Sequence, residues 1–185
     1  MIGRNIAGDN PQIASSSFIH PTAVVQGNVI IEENCFVGPL AIIRADEQDQ
    51  DGQVEPIVIK NNCNIQDGVI IHSAKGKSVH IGPYVSVTHG AIVHGPCTIE
   101  SGCLIGFNAV VYNAFLEKDV VVLHNAVVEM VTIPSRKVVP ANGTIIYPED
   151  FSQLQEYTPA IENFCKKVIN TYQQLTYGYL VNAKI

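Results

Sequence analysis

The stretch IGPYVSVTHGAIVHGPCTI, residues 81–99, carries a large aliphatic side chain at every sixth position. A helix repeats every 3.6 residues and a strand every two, so neither element running uninterrupted has a period of six. The same spacing, with a few shifts, extends over most of the chain and marks an internal repeat. The aliphatic positions are Val25, Ile31, Val37, Ile43, Ile59, Ile65, Ile71, Ile81, Val87, Val93, Ile99, Ile105, Val111, Leu116, Val122, Val128, Ile133, Val139 and Ile145.

A small or medium-sized residue usually stands two positions before each aliphatic residue, and four of the five cysteines occupy this place. No Cys-x2-Cys pair is present, so the cysteines indicate neither a zinc knuckle nor a regular disulfide framework. We interpret them as small apolar residues in a tight corner of the fold. They are Cys35, Cys63, Cys97 and Cys103.

A hexad with one large aliphatic residue, one small residue and abundant Gly, Asn and Asp resembles the hexapeptide repeat of left-handed parallel β-helices. This resemblance implies an all-β solenoid in which three hexads form one triangular coil and successive coils pair as parallel strands. We predict that residues 18–147 form this left-handed β-helix domain. Residues 1–17 are an N-terminal segment to which the sequence assigns no role.

The pattern changes after Pro148, where apolar residues recur at spacings of three and four and predict a helix. Thr158 can cap this helix and Pro159 can open it. It is expected to run to about Leu175, with Gly178 as a stop. Residues 148–185 therefore form a C-terminal helical segment that packs alongside the β-helix.

The charge balance restricts the class of partner. Eleven basic and seventeen acidic residues give a net charge of -6, whereas nucleic acids and anionic membranes attract clustered Lys and Arg. The N-terminus lacks the apolar run of a signal peptide, and no stretch is long and apolar enough to cross a membrane. The sequence thus predicts a soluble, cytoplasmic protein that acts on a small molecule.

Two gaps, after Ile43 and after Ile71, interrupt the six-residue count. If each gap is a loop inserted into one side of the prism, the three edges can be numbered in turn from Ile43 onward. Edge one then differs from the other two edges in the type of residue that directly follows each aliphatic residue. The residues in that position are Arg44, His72, His94 and Tyr112.

His89 follows Val87 by two residues and falls on edge three, apart from His72 and His94. A cyclic trimer can place edge one of one subunit against edge three of the next. Three neutral imidazoles that leave one position open form a catalytic zinc site. The repeat therefore favours a metal shared by two subunits, although each histidine taken alone also fits a surface position.

Four motifs, in order and with compatible spacing, resemble those of the γ-class carbonic anhydrases: RADE at 44–47, NIQDG at 64–68, His72, and VTHGAIVHGP at 87–96. The resemblance implies a homotrimer that hydrates CO2 reversibly to bicarbonate by means of a metal-bound hydroxide. It implies Zn²⁺ as the cofactor, with Fe²⁺ or Co²⁺ as alternatives. The metal ligands would be His72, His89 and His94, one of them supplied across the trimer interface.

The resemblance also assigns catalytic residues. Gln66 would hydrogen-bond the metal-bound hydroxide, Glu47 would act as the acid/base group beside it, and Asn64 would hold the network. Asn170, in the closing helix, matches a substrate-side asparagine of the family. A residue on the polar face of that helix is the alternative for Asn170.

Further residues are assigned to the interface and the pocket. Arg44 and Asp46 would pair with Asp67 of the adjacent subunit and fix the trimer, while Phe107 and Tyr112 would wall the CO2 pocket. From spacing alone, Asp46 and Asp67 fit solvated corner carboxylates equally well.

Lys75 stands where some γ-class members carry a proton-shuttling glutamate, so proton export by that route is in doubt. The alternatives that the sequence offers for proton transfer are His80, Glu47 and the carboxylates of residues 48–56.

Two other functions stay open. One is a hexapeptide acyltransferase, in which a single histidine acts as general base. The other is a non-catalytic trimeric scaffold of the γ-carbonic anhydrase type.

Overall fold

The computed structural model describes residues 1–182, whose strands wind into a left-handed triangular solenoid with one sheet on each side. Strands are numbered along the chain. Sheet 1 comprises β1 (Ile2–Gly3), β4 (Val24–Gly27), β7 (Ile42–Ala45), β10 (Ile70–Ser73), β13 (Ile92–Gly95), β16 (Val110–Tyr112), β19 (Val127–Glu129) and β22 (Thr144–Ile145). Sheet 2 comprises β2 (Gln12–Ile13), β5 (Val29–Ile31), β8 (Ile57–Ile59), β11 (Val79–Ile81), β14 (Cys97–Ile99), β17 (Phe115–Leu116) and β20 (Thr132–Ile133). Sheet 3 comprises β3 (Phe18–Ile19), β6 (Phe36–Val37), β9 (Asn64–Ile65), β12 (Ser86–Val87), β15 (Leu104–Ile105), β18 (Val121–Val122), β21 (Lys137–Val139) and the antiparallel β23 (Gln155–Glu156).

The aliphatic residues of the six-residue repeat point into the solenoid and stack in register from coil to coil. In sheet 1, Ile43, Ile71, Val93 and Val111 pair in successive strands, and all four are fully buried. Their side chains fill the prism as a continuous column, which removes apolar surface from water. The numbering of the three edges from the sequence is thus confirmed.

The small residues close the corners of this core. The four cysteines of the repeat are buried, as the interpretation as small apolar residues requires. The two gaps in the repeat are loops, residues 46–56 and 74–78, and both connect sheet 1 to sheet 2. The two loops therefore leave the solenoid at edge one, directly after its outward-pointing residues.

The solenoid begins earlier than the predicted boundary at residue 18. Ile2 pairs with Val25, and strand β2 pairs with β5, so the N-terminal segment forms a first coil. Its hexad pattern is obscured by a loop that Asn5 organises. The Asn5 side chain accepts hydrogen bonds from two backbone N–H groups of its own loop and donates to the Ala45 carbonyl at 2.9 Å.

A short 3-10 helix (Pro148–Gln153) and β23 lead into helix α1 (Pro159–Asn182), which lies along the outer face of sheet 3. The helix does not end near Leu175 or at Gly178 as predicted. Tyr179 stacks on Phe18 at 4.6 Å between centroids, and this packing outweighs the roughly 1 kcal/mol that one helical glycine costs. The last residues of the predicted segment, 183–185, lie outside the described residues.

Among residues 1–182, no helix combines the length and apolarity that a membrane span requires.

Candidate metal centre

Edge one, the corner at which sheet 1 turns into sheet 2, carries a stack of four chemically distinct side chains. Arg44, His72, His94 and Tyr112 occupy the same position in successive coils, in direct register. Each follows a buried aliphatic residue, so the alternation along the strand turns its side chain outward. The stack confirms the register predicted from the sequence and brings two imidazoles together.

The imidazoles of His72 and His94 face each other through nitrogen atoms, with His72 Nδ1 lying 3.3 Å from His94 Nε2. His94 Nδ1 donates to the Gly95 carbonyl at 3.0 Å, which leaves a lone pair on Nε2. His72 Nε2 donates to Asp46 Oδ1 at 3.0 Å, a closer contact than Arg44 Nη2 at 3.5 Å. In its neutral form His72 therefore presents the lone pair of Nδ1 to that of His94 Nε2.

This pair fits two positions of a tetrahedral zinc site. Zn–N bonds of 2.0–2.1 Å at a tetrahedral angle separate two ligand nitrogens by about 3.3 Å. Asp46 and the Gly95 carbonyl hold the opposite nitrogens of the two rings, as outer-shell partners of ligating histidines do. Cys97 and Cys103 are poor competitors as ligands, because burial raises the pKa of the Cys103 thiol to about 12 and also raises the pKa of Cys97.

Glu47 lies beside His72 at edge one and is partly exposed to solvent. Its Oε1 is 3.8 Å from His72 Nε2, and its Oε2 accepts a hydrogen bond from the backbone N–H of Lys75 at 3.0 Å. The second contact ties residues 46–56 to residues 74–78. The Glu47 side chain is half exposed, so it can exchange protons with bulk water.

His89 lies on edge three, the corner between sheet 3 and sheet 1, and its side chain is 44% exposed. Its Nδ1 is 3.6 Å from Asp67 Oδ2, and its ring centroid is 5.2 Å from that of Phe107. The chain turns sharply after it at Gly90, which has φ +70° and where a Cβ would meet Asn108 Oδ1 at 2.3 Å. Within residues 1–182 of one chain, no three His, Cys, Asp or Glu side chains converge on a common metal position.

Gln66 and Asn64 form a buried polar chain on sheet 3. Gln66 Nε2 donates to Asn64 Oδ1 at 2.7 Å, and Asn64 Nδ2 donates to Ser86 Oγ at 2.8 Å. Ser86 was missed in the sequence, although a signal was present. Asn64 and Ser86 occupy a position that Phe36 and Leu104 fill in neighbouring coils, and two buried polar residues there indicate a shared hydrogen bond.

The structure does not bring Asn170 to this polar chain. Asn170 is exposed on α1 and lines a groove of about 410 Å³ with Tyr84 and Ser101, which follow strands of sheet 2. That groove lies at the corner between sheets 2 and 3, away from edge three. Asp67 likewise stays beside His89, while Arg44 Nη1 pairs at 3.5 Å with Asp46 of its own chain.

Sheet 1 lies between the two histidine-bearing edges, and one of the two outward rows of this sheet is aliphatic along almost its whole length. Sheet 3 is covered by α1, and the outward row of sheet 2 mixes apolar residues (Ile30, Val58 and Phe115) with polar ones (His80, Thr98 and Thr132). Sheet 1 thus combines an uncovered apolar face with polar edges on both sides, the arrangement typical of an interface. The outward row that borders edge three consists of Val24, Ile42, Ile70, Ile92, Val110 and Val127, and the second outward row is the polar stack of edge one.

Comparisons with known proteins support this description of the fold and family. Residues 10–45 match the bacterial transferase hexapeptide family (six repeats). The carboxysome assembly protein CcmM of Nostoc sp. is 35% identical over 182 residues, covering 93% of this chain and 32% of the relative. A carbonic anhydrase of Methanosarcina thermophila is 29% identical over 190 residues, covering 91% of this chain and 74% of the relative. The chain is thus similar to the γ-carbonic-anhydrase-like hexapeptide-repeat proteins.

The chain spans only about a third of the length of the Nostoc CcmM. Solved structures support the solenoid itself. A hexapeptide transferase family protein of Anaplasma phagocytophilum superposes with a TM-score of 0.81 at 21% identity, covering 97% of this chain and 98% of the other. A candidate acetyltransferase of Bacillus cereus superposes with a TM-score of 0.82 at 22% identity, covering 98% and 97%.

Proposed function

We propose that this γ-carbonic-anhydrase-like protein is a metal-dependent carbonic anhydrase that converts CO2 and water reversibly to bicarbonate. The observation that carries the proposal is the pair of facing imidazole nitrogens, His72 Nδ1 and His94 Nε2, 3.3 Å apart on edge one. An acyltransferase needs one imidazole as a general base and gives no reason for a second in this position. The similarity to a Methanosarcina thermophila carbonic anhydrase supports the same activity.

The site is proposed to be completed by His89 of a neighbouring subunit in a homotrimer. A three-fold axis parallel to the solenoid keeps equivalent residues at equal heights. Along the winding chain, His89 comes two sides after His72 and one side before His94, so its height lies between theirs. The same reasoning brings Asp67 of the neighbour to a height between Arg44 and His72, where it can pair with the guanidinium.

Zn²⁺ is the cofactor that three imidazoles with one open position suit, with Fe²⁺ or Co²⁺ as alternatives. When bound, the metal supplies Lewis acidity and lowers the pKa of a water molecule to about 7. His72, His89 and His94 would hold it, and Asp46 would orient His72. Removal of the metal with a chelator is expected to abolish CO2 hydration, and added Zn²⁺ is expected to restore it. Activity that persists in metal-free protein would contradict the proposal.

The polar residues of the site would position the reacting water and move its proton. Gln66 Nε2 donates one of its two N–H groups to Asn64, which leaves the amide oxygen and the second N–H for hydrogen bonds to that water. Glu47 is the carboxylate proposed to take the proton and pass it to bulk solvent. The apolar walls for CO2 would be formed by Tyr112 and Phe107. The Tyr112 ring centroid is 5.5 Å from that of His94, and Phe107 lies beside His89.

The trimer interface gives a separate prediction. Ile92→Glu would place a carboxylate on the aliphatic face of sheet 1, and burial of an unpaired charge costs several kcal/mol. We therefore expect Ile92→Glu to be monomeric in sedimentation velocity and to bind no zinc. Thr98→Glu, on the outer face of sheet 2, is the matched control and should stay trimeric with full zinc content. A trimeric, zinc-replete Ile92→Glu protein would exclude sheet 1 as the interface.

A second candidate function is an assembly role without fast turnover. It is favoured by the 35% identity to the carboxysome assembly protein CcmM over 93% of this chain. It is also favoured by Lys75, because this residue stands where some γ-class members carry a proton-shuttling glutamate. In this case the protein would form trimers and bind zinc, yet CO2 hydration would not exceed the buffer rate.

A further inference from the structure

His124 occupies the same corner position as His89, although neither the motifs nor the proposed reaction assigns it a role. His89 stands two residues after the buried Val87, and His124 stands two residues after the buried Val122. Phe107 holds this position in the coil between them. The three rings therefore form one column along edge three.

Two contacts fix the ring of His124. Its Nδ1 accepts a hydrogen bond from the backbone N–H of Phe107 at 2.9 Å. Its ring also stacks on the Phe107 ring at 4.4 Å between centroids, with 17° between the planes. A ring held by a hydrogen bond and a parallel stack has little rotational freedom, so it presents a fixed surface to Phe107.

Phe107 in turn packs against His89 and restricts the position of its ring. The two ring centroids are 5.2 Å apart with 45° between the planes, and on its other side His89 faces Asp67 Oδ2 at 3.6 Å from Nδ1. The half-exposed imidazole of His89 is thus packed between a carboxylate and an aromatic ring. Without the ring, the imidazole would sample further rotamers, and binding a metal would have to remove that freedom.

We propose that His124 is a positioning residue that holds Phe107 against His89 and so fixes the His89 imidazole for metal binding. The inference rests on the proposed metal site. It concerns packing within one chain and needs no change in protonation. Loss of a group that directly contacts a ligating histidine typically weakens metal binding by about 10- to 100-fold, and His124, one contact further out, is expected to lie at the lower end of this range.

The test uses Co²⁺ titration of the full-length protein, followed by the visible d–d spectrum and chelator competition. His124→Ala should weaken Co²⁺ binding about tenfold and alter the d–d band. His124→Phe keeps the stack and should recover most of the affinity. His20→Ala is the matched control, because His20 Nδ1 also accepts a backbone N–H, from Thr22 at 3.2 Å, yet His20 has no contact with His89 among the described residues.

A measurement on the metal-free protein separates this inference from the proposed function. The Phe107 ring current shifts the NMR signals of the His89 ring, and these signals should move in His124→Ala but not in His20→Ala. Unchanged His89 signals, together with unchanged Co²⁺ affinity, would overturn the role of His124. A wild-type protein that binds no Co²⁺ would instead overturn the proposed metal site.

Discussion

Mixed trimers of His72→Ala and His89→Ala subunits are expected to recover zinc that neither variant binds alone. Each site would take His72 and His94 from one subunit and His89 from the next, so each variant alone lacks a ligand at every site. In randomly mixed trimers, about a quarter of the interfaces join an intact edge one to an intact edge three. Zinc content, measured by mass spectrometry after subunit exchange, checks this fraction.

The control for this experiment is a mixture of His72→Ala with His94→Ala. Both substitutions lie on edge one, where the two residues pair in register, so no combination of subunits restores a complete site. This mixture should bind no more zinc than its components. If both mixtures recover zinc equally, or if neither recovers any despite confirmed exchange, the shared site is wrong.

Gln66→Ala is expected to retain zinc and to lose about a hundredfold in kcat, the usual cost of removing one fixed hydrogen-bonding group from an active site. The substitution removes the amide that Asn64 holds at 2.7 Å and leaves the three histidines in place. Stopped-flow CO2 hydration and zinc content, measured on the same samples, check both parts. Loss of zinc would show that Gln66 supports the metal instead of the reacting water.

Gln173→Ala provides the matched control for Gln66→Ala. Gln173 lies on α1 and donates to Asn62 Oδ1 at 3.2 Å, at the corner between sheets 2 and 3. Its loss should leave both zinc content and turnover unchanged. An equal loss of activity in Gln173→Ala would indicate that the helix, and not the Gln66 amide, controls the rate.

The solenoid and its edges could be predicted because large aliphatic residues recur at a fixed spacing of six. Once these residues are taken to point inward, their spacing determines which of the other residues lie on each edge. Once Ile71 and Val93 are taken as inward neighbours, His72 and His94 must share an edge, and the structure places their nitrogens 3.3 Å apart. His89 could be assigned to another edge by the same count. The periodicity thus predicted which residues meet within one chain.

Features that depend on tertiary packing could not be read from this pattern. The first coil was missed because the Asn5 loop breaks the hexad count. Helix α1 continues past Gly178 because Tyr179 stacks on Phe18, a partner far away in sequence. Asn170 was assigned by motif alone, and position along a helix does not determine which corner of the solenoid a residue will face.

The central claim is that this fold hydrates CO2 with a metal held between subunits, and stopped-flow measurement of CO2 hydration tests it most directly. The protein should be trimeric and contain one zinc per chain before the measurement. We predict hydration well above the buffer rate that disappears in the His89→Ala protein. Hydration no faster than buffer in a zinc-replete trimer would contradict the claim and favour the assembly role.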